Sequence, residues 1–577
     1  MRRLTHYIFG GLLFILPLNS CKNFLDVAPL NIINSDDVFQ DETLLTSYLA
    51  TLYDAVPMDN FGSYLQGPNE GIGGMGNGGD FWGYTHIRRT NNLLEKLPDA
   101  PLADNLKSTL MGEGYFLRAY YYFSMVKRYG GVPIIDHVLD YSGDGDISQY
   151  QLPRNTEKEV YDFIAEDLDR AADLLPLVNA RGRATRTAAW ALKSRAMVYA
   201  GSSAKYAPVQ LEGLVGIPAS EQNRYWEAAF DAAEKVIASE AHSLYDQSPN
   251  KSENYSQLFL DKSNPEAILI RAFSYPEKVH NYDRDVIPYG VRGPDGYSSG
   301  STPILEFVEQ FEKIDGSPGT LDIGTPASPV YYDHPLDLFA SHDPRLAGTV
   351  ILPFGLWRGE AIDVQAGIYD DGVKIESGDP NARYNVGTKR IDPEGTIQVV
   401  GYSGFGGSEK TQTGFYLRKY LDNTLARANV RTNGSSQHWI ALRYAEVLLN
   451  YAEAAVELGR IPEAKTGVNQ VRARAGIALL SDADVTRDRV RHERLVELGF
   501  ESQSLWDYKR WRITDSLYNN RPAGVLKPYY DVQADAYRFE RSTVPNVFKT
   551  FQPVSYYTAI PAAEIAANPN LVQNPGY

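Results

Sequence analysis

Three short strings in this sequence spell chemistry, and each fails a requirement of that chemistry. His492-Glu493 opens a zincin-like helix motif, but Val496 stands where the second metal-binding histidine must be, so two-histidine coordination is lost. Ser341-His342-Asp343 sets the three side chains of a nucleophilic triad in a row, whereas a triad is assembled in space from separate segments. Gly71-Ile72-Gly73-Gly74-Met75-Gly76 spells a dinucleotide fingerprint with neither a strand before it nor a βαβ unit around it. The glycine-rich stretch from Gly67 to Gly79 reads instead as a pliable surface loop. Asp140 to Asp146, with Asp144 and Asp146, misses the EF-hand spacing and reads as a solvated acidic turn. Acidic residues number 72 and so offer many carboxylate pairs of the kind used in glycoside hydrolysis, but no motif singles one out. No catalytic set, metal or cofactor is expected.

Aromatic residues carry the better signal. Tyrosine outnumbers phenylalanine 39 to 22, and a tyrosine offers both a stacking face and a hydroxyl. Flat aromatic faces suit the apolar faces of sugar rings, while Asp, Asn and Arg side chains satisfy hydroxyl groups. Trp190, Trp226, Trp439, Trp506 and Trp511 fall in helical patterns and are expected in the core or at helix interfaces. That leaves Trp82, beside the glycine-rich loop, and Trp357, in an irregular stretch. Tyr64, Phe81, Asp80, Tyr289, Tyr297 and Arg292 share those two neighbourhoods and complete the set of candidate ligand-binding residues.

The elements that must position these residues are mostly helical. From Glu113 to Tyr129, the residues Phe116, Ala119, Tyr120, Phe123 and Val126 form one stripe, and Gly130-Gly131 stops the helix. Thr156 and Glu159 spell a capping box for the next helix, which runs to Pro176. The spacing predicts further helices from about Thr187 to Ala200, ending at Gly201, and from Tyr225 to Ser239. Leu442, Ala445, Leu449, Ala452 and Val456 predict another that ends at Gly459, with a partner carrying Ala464, Val468, Val471 and Ala475. Such pairs resemble tetratricopeptide (TPR) repeats, which must stack because one pair cannot bury its apolar face alone. The expected fold class is all-α: a TPR-like helix-pair scaffold (21–240 and 436–577) with a large loop-rich insertion (241–435) carrying a few short strands.

Arg2 and Arg3 precede an apolar run from Tyr7 to Leu18, too short to span a bilayer, and Leu18-Asn19-Ser20-Cys21 reads as a lipobox. Residues 1–20 are therefore expected to be a lipoprotein signal peptide, and Cys21, the sole cysteine, the diacylated residue that begins the 21–577 domain. The formal charge of −16 disfavours nucleic acid and anionic lipid surfaces as partners.

Several strings together resemble one family. Gly114-Tyr115-Phe116-Leu117-Arg118-Ala119-Tyr120-Tyr121-Tyr122-Phe123, Gly182-Arg183-Ala184-Thr185, Asp343-Pro344-Arg345-Leu346 and Arg443-Tyr444-Ala445-Glu446-Val447-Leu448-Leu449 are similar to SusD/RagB signatures. So are Val471-Arg472-Ala473-Arg474-Ala475-Gly476, Glu493-Arg494-Leu495-Val496-Glu497-Leu498, Trp506-Asp507-Tyr508-Lys509-Arg510-Trp511 and the ending from Asn568 to Tyr577. The resemblance implies a lipid-anchored protein facing the exterior of a Gram-negative outer membrane. It further implies an oligosaccharide ligand, or in some members a peptide, and a SusC-like TonB-dependent transporter as partner. A surface glycoside hydrolase and a purely structural lipoprotein are the rival readings. The charged residues within these strings, Arg443, Glu446, Glu453, Arg472, Arg474, Glu493, Arg494 and Glu497, sit on packed helices and are expected to form internal ion pairs.

Overall fold

Residues 38–59, 61, 70–72, 79–140, 145–407, 409–519, 521–548 and 550–577 are described by the structure, a computed structural model. Cys21 and the signal segment, Tyr64, most of the glycine-rich stretch and Asp144 lie outside the described residues.

The first half stacks helices: α1 (Glu42–Ala55), α2 (Tyr84–Lys96), α3 (Asp104–Tyr129), α4 (Glu157–Leu174), α5 (Arg186–Tyr206) and α6 (Gln222–Ala238). Helix α3 starts nine residues before the expected Glu113 and is buried almost all round over its second half, because α2, α4 and α5 pack on different sides of it. It stops where Gly130 takes φ +75°, and the adjacent Gly131 lies so close to the Asn155 carbonyl that no Cβ would fit. The Thr156–Glu159 capping box opens α4 as the sequence indicates.

Gly201 does not end its helix. Helix α5 runs through it to Tyr206, and a Cβ there would stand 2.8 Å from the Trp226 indole on α6. The glycine is where two helices approach closely, not a stop. Further on, α7 (Lys251–Leu258) leads into β1 (Ala267–Arg271). Late in the chain, α8 (Tyr444–Glu457) and α9 (Ile461–Ala475) form the expected pair, followed by α10 (Arg487–Glu497) and α11 (Ser504–Arg510). Gly467 lets α9 approach α8, since a Cβ would meet the Leu448 carbonyl at 2.7 Å, and Phe230 stacks on Tyr451 to join α6 to α8.

Two expectations about the last third need correction. Leu442 belongs to a strand, Trp439–Arg443, which pairs antiparallel with β1 before the chain turns into α8. The 436–577 part is also not wholly helical. Strands Pro522–Asp531 and Ala536–Phe548 form a long hairpin with Leu526 opposite Arg541, and the first of them pairs in parallel with Gly367–Asp370 of the insertion. The first strand is covered on both faces, with the adjacent Val525 and Leu526 both buried along with Ala523 and Tyr529, so it lacks the alternation that marks a half-buried strand in sequence.

The charged residues of the signature strings form a buried network. Arg443 bonds Glu266, Glu497 and Glu501; Arg345 bonds Asp343, Glu493 and Glu497; Arg472 bonds Glu312 and Glu493. Arg195 pairs with Glu446, and Arg510 with Glu453. These groups tie β1, the insertion and the late helices together, so their charges serve the scaffold.

Candidate functional site

Two loop neighbourhoods receive the candidate residues. Asp80, Phe81 and Trp82 lie just ahead of α2, against the C-terminal end of α3. The Phe81 amide donates to the Tyr129 hydroxyl at 3.0 Å, and the Trp82 ring meets Tyr129 edge-on at 5.3 Å and Tyr84 at 5.1 Å. Phe81 and Trp82 are half-buried, while Asp80 is exposed.

Tyr289, Arg292 and Tyr297 gather in the insertion. Pro288 leads into a 3₁₀ turn, Tyr289–Val291, and the Gly290 amide donates to the Ser403 hydroxyl at 3.0 Å, which pins this turn to a second loop. A Cβ at Gly290 would stand 2.5 Å from that hydroxyl, so glycine is what lets the loops meet. Across the junction Tyr289 and Tyr402 face each other with ring centres 5.5 Å apart. The Arg292 guanidinium lies 4.0 Å over the Tyr289 ring and ion-pairs with Glu409. Lys410 approaches the same ring to 5.1 Å and Tyr402 to 6.0 Å; burial and the neighbouring Arg292 pull its pKa down. Ser298 and Ser299 both donate to the Glu409 carbonyl, which fixes the second loop from below.

Tyr297 is 56% exposed, with Arg284 4.4 Å over its ring, and Tyr402 is 52% exposed. Next to Arg284 in the chain, Asp283 is buried and accepts from the Asp422 amide at 2.7 Å and the Gln437 side chain at 3.0 Å. Burial lifts its pKa to about 6. The result is an exposed aromatic platform edged by cations and hydrogen-bonding groups, equipped to stack on ring faces and bond to hydroxyls.

Trp357 departs from the sequence-based set. It is 2% exposed within the core, so it presents no face to a ligand. Its stretch looks irregular in sequence, but short strands fold that stretch around it. Tyr402, Glu409, Lys410 and Arg284 were missed. No motif marks them, and they reach Tyr289 and Tyr297 only through the folded chain. The glycine-rich stretch touches this neighbourhood at its described end, where Ile72 donates to the Thr302 carbonyl and Ile304 to that of Glu70.

The rejected strings have structural partners. His492 lies against the Gln310 carbonyl, Glu493 pairs with Arg345 and Arg472, His342 contacts the Gly319 carbonyl, and Asp343 holds Arg345. Asp146 caps a short turn through Ser148. Among the described residues no group of three or more His, Cys, Asp or Glu side chains is placed to hold a metal ion, and no helix is long and apolar enough to cross a membrane.

Comparison with known proteins gives consistent matches. A profile described as "SusD family" matches residues 265–577, and one described as "Starch-binding associating with outer membrane" matches residues 80–198. The chain is similar to SusD-like protein P38 of Formosa agariphila, 24% identical over 441 residues, which cover 74% of this chain and 70% of that protein. A SusD-like protein of Bacteroides fragilis, 25% identical, superposes with TM-score 0.68 over 95% of this chain and all of its own. A second B. fragilis structure, titled a SusD-like carbohydrate binding protein, is 20% identical with TM-score 0.64 over 92% of this chain and 99% of its own.

Proposed function

The chain belongs to the SusD family, and from that premise we propose that it captures oligosaccharide at the outer membrane without catalysis and passes it to a SusC-like TonB-dependent transporter. The platform of Tyr289, Tyr297 and Tyr402, with Arg292 and Lys410 at its edge, is the single observation that carries this reading. Two of its rings are more than half exposed although large apolar groups are ordinarily covered. Rings held open beside charged donors are what a stacked, hydroxyl-rich ligand requires. The starch-binding description of the profile over residues 80–198 and the similarity to the B. fragilis SusD-like carbohydrate binding protein support the same ligand class. Asp80 and Trp82, at the end of the glycine-rich stretch, are proposed as an outer flank of the site. The lipid anchor is proposed at Cys21, with the body facing the exterior.

Calorimetric titration of the form beginning after Cys21, against purified neutral oligosaccharides and peptide mixtures, tests the reading. Saturable heat with a glycan class and no new reducing ends is the expected result. Heat with peptides alone moves the assignment to the peptide-binding branch of the family. New reducing ends make the protein a hydrolase.

A further inference from the structure

A concave site that shares no residue with the platform lies between α1, the Gly182-Arg183 turn and β1. The groove has a cavity volume of about 230 Å³. Leu49, Met58 and Ile270 contribute apolar lining, and Arg181, Arg183, Arg271 and Lys278 supply four cations. Their counter-charges fall short. Arg183 is answered by buried Glu113 at 2.7 Å. Arg271 and Lys278 share one carboxylate, Asp54, at 3.5 and 2.6 Å. Arg181 is exposed and, among the described residues, has no hydrogen-bond or ion-pair partner. Arg271 spends its terminal nitrogens on the Asp54 and Val56 carbonyls, while its Nε is buried with no acceptor. The groove thus carries an excess of two positive charges on a chain whose net charge is −16.

We propose that this groove is a separate binding site for an oxyanion carried on a saccharide, either a uronate carboxylate or a sulfate ester. Arginine forks match the planar carboxylate and the sulfate oxygens. An extended acidic peptide fits less well, because it would add to the free edge of β1. There Gly182, at φ +85°, lies against the Ile270 carbonyl, in ordinary contact at 3.5 Å from its Cβ position, so the turn sits on that edge. A long polyanion would have to approach a chain whose net charge is −16. The saccharide part of this assignment rests on the glycan-binding reading above; the anion part rests on the groove alone.

The test titrates the whole mature chain with a glucuronate-terminated oligosaccharide, its carboxyl-reduced counterpart, an oligosaccharide sulfate ester, inorganic sulfate and a glutamate-rich peptide. The acidic oligosaccharides are expected to bind, with affinity falling as salt rises and at least tenfold weaker in Arg181→Glu. Arg181→Glu/Lys278→Glu should weaken it further. Arg181 contacts nothing that folding requires, so the single variant stands if the double variant fails to fold. Acidic binding that survives with the neutral panel silent supports the groove and sinks the platform reading. Absence of acidic binding, or its persistence in Arg181→Glu, overturns the proposal. Tighter binding of the peptide, or equal binding of inorganic sulfate, overturns the saccharide assignment.

Discussion

Arg443 and Glu497 meet at 2.7 Å with neither side chain more than 1% exposed, and the contact joins the strand ahead of α8 to the end of α10. Glu497 also receives Arg345 and Arg474, and these three arginines hold its carboxyl well below the usual carboxylate range. Neutralising it leaves buried cations without an answer. Glu497→Gln is expected to lose about 3–5 kcal/mol of stability, the cost of breaking a buried pair from one side. The midpoint of urea unfolding measures this, and a variant within about 1 kcal/mol of wild type would show that the network is redundant.

Helix α5 makes a second, purely steric prediction. Gly201→Ala places a methyl group 2.8 Å from the Trp226 indole, so α5 and α6 must separate or the indole must shift. Overpacking of this kind costs about 1–3 kcal/mol. Thermal unfolding should show the loss, and oligosaccharide affinity should not move, because both residues lie in the scaffold.

Gly201 also shows where the sequence was legible and where it was not. Periodicity predicts the helix from about Thr187 to Ala200, but a glycine that ends a helix and one that admits a neighbour look alike along the chain. The arginine and glutamate strings were read correctly as ion pairs because charges at helical spacing beside apolar stripes must find partners inside. Trp357 and Tyr402 mark the opposite limit. One is buried and the other exposed, and nothing within ten residues of either distinguishes them. Their fates are decided by contacts between loops far apart in sequence, such as Gly290 to Ser403.

Asp283 predicts a pH dependence of opposite sign to that of the ion-paired carboxylates. Its folded pKa of about 6 is above the ordinary 3.8, so the native state takes up a proton before the unfolded chain does. Its contribution to stability therefore rises as pH falls from about 7 toward 4 and is lost as pH rises through 6. Glu453, held at about 2 by Arg510, acts the other way, losing its contribution as pH falls from about 5 to 2. Comparing wild type with Asp283→Asn isolates the first effect. The difference in unfolding free energy should favour the variant by on the order of 3 kcal/mol at pH 8 and shrink toward zero near pH 4. A difference that stays flat with pH means that the Asp283 carboxyl titrates in the folded protein where it does in the unfolded chain.

Exposure decides the last prediction. Tyr297 and Tyr402 offer open faces, so truncating either to alanine should weaken oligosaccharide binding about tenfold, the equivalent of one lost stacking contact. Trp357 is larger and a stronger stacking residue by type, yet it is 2% exposed, and its indole nitrogen has no hydrogen-bond partner. Trp357→Phe should therefore cost about 1–3 kcal/mol of stability through the cavity it leaves while the affinity of the folded variant stays within twofold of wild type. Titration at a temperature where all three variants are folded separates the two effects. If Trp357→Phe lost affinity and Tyr402→Ala did not, the ligand would bind elsewhere than on the open tyrosines.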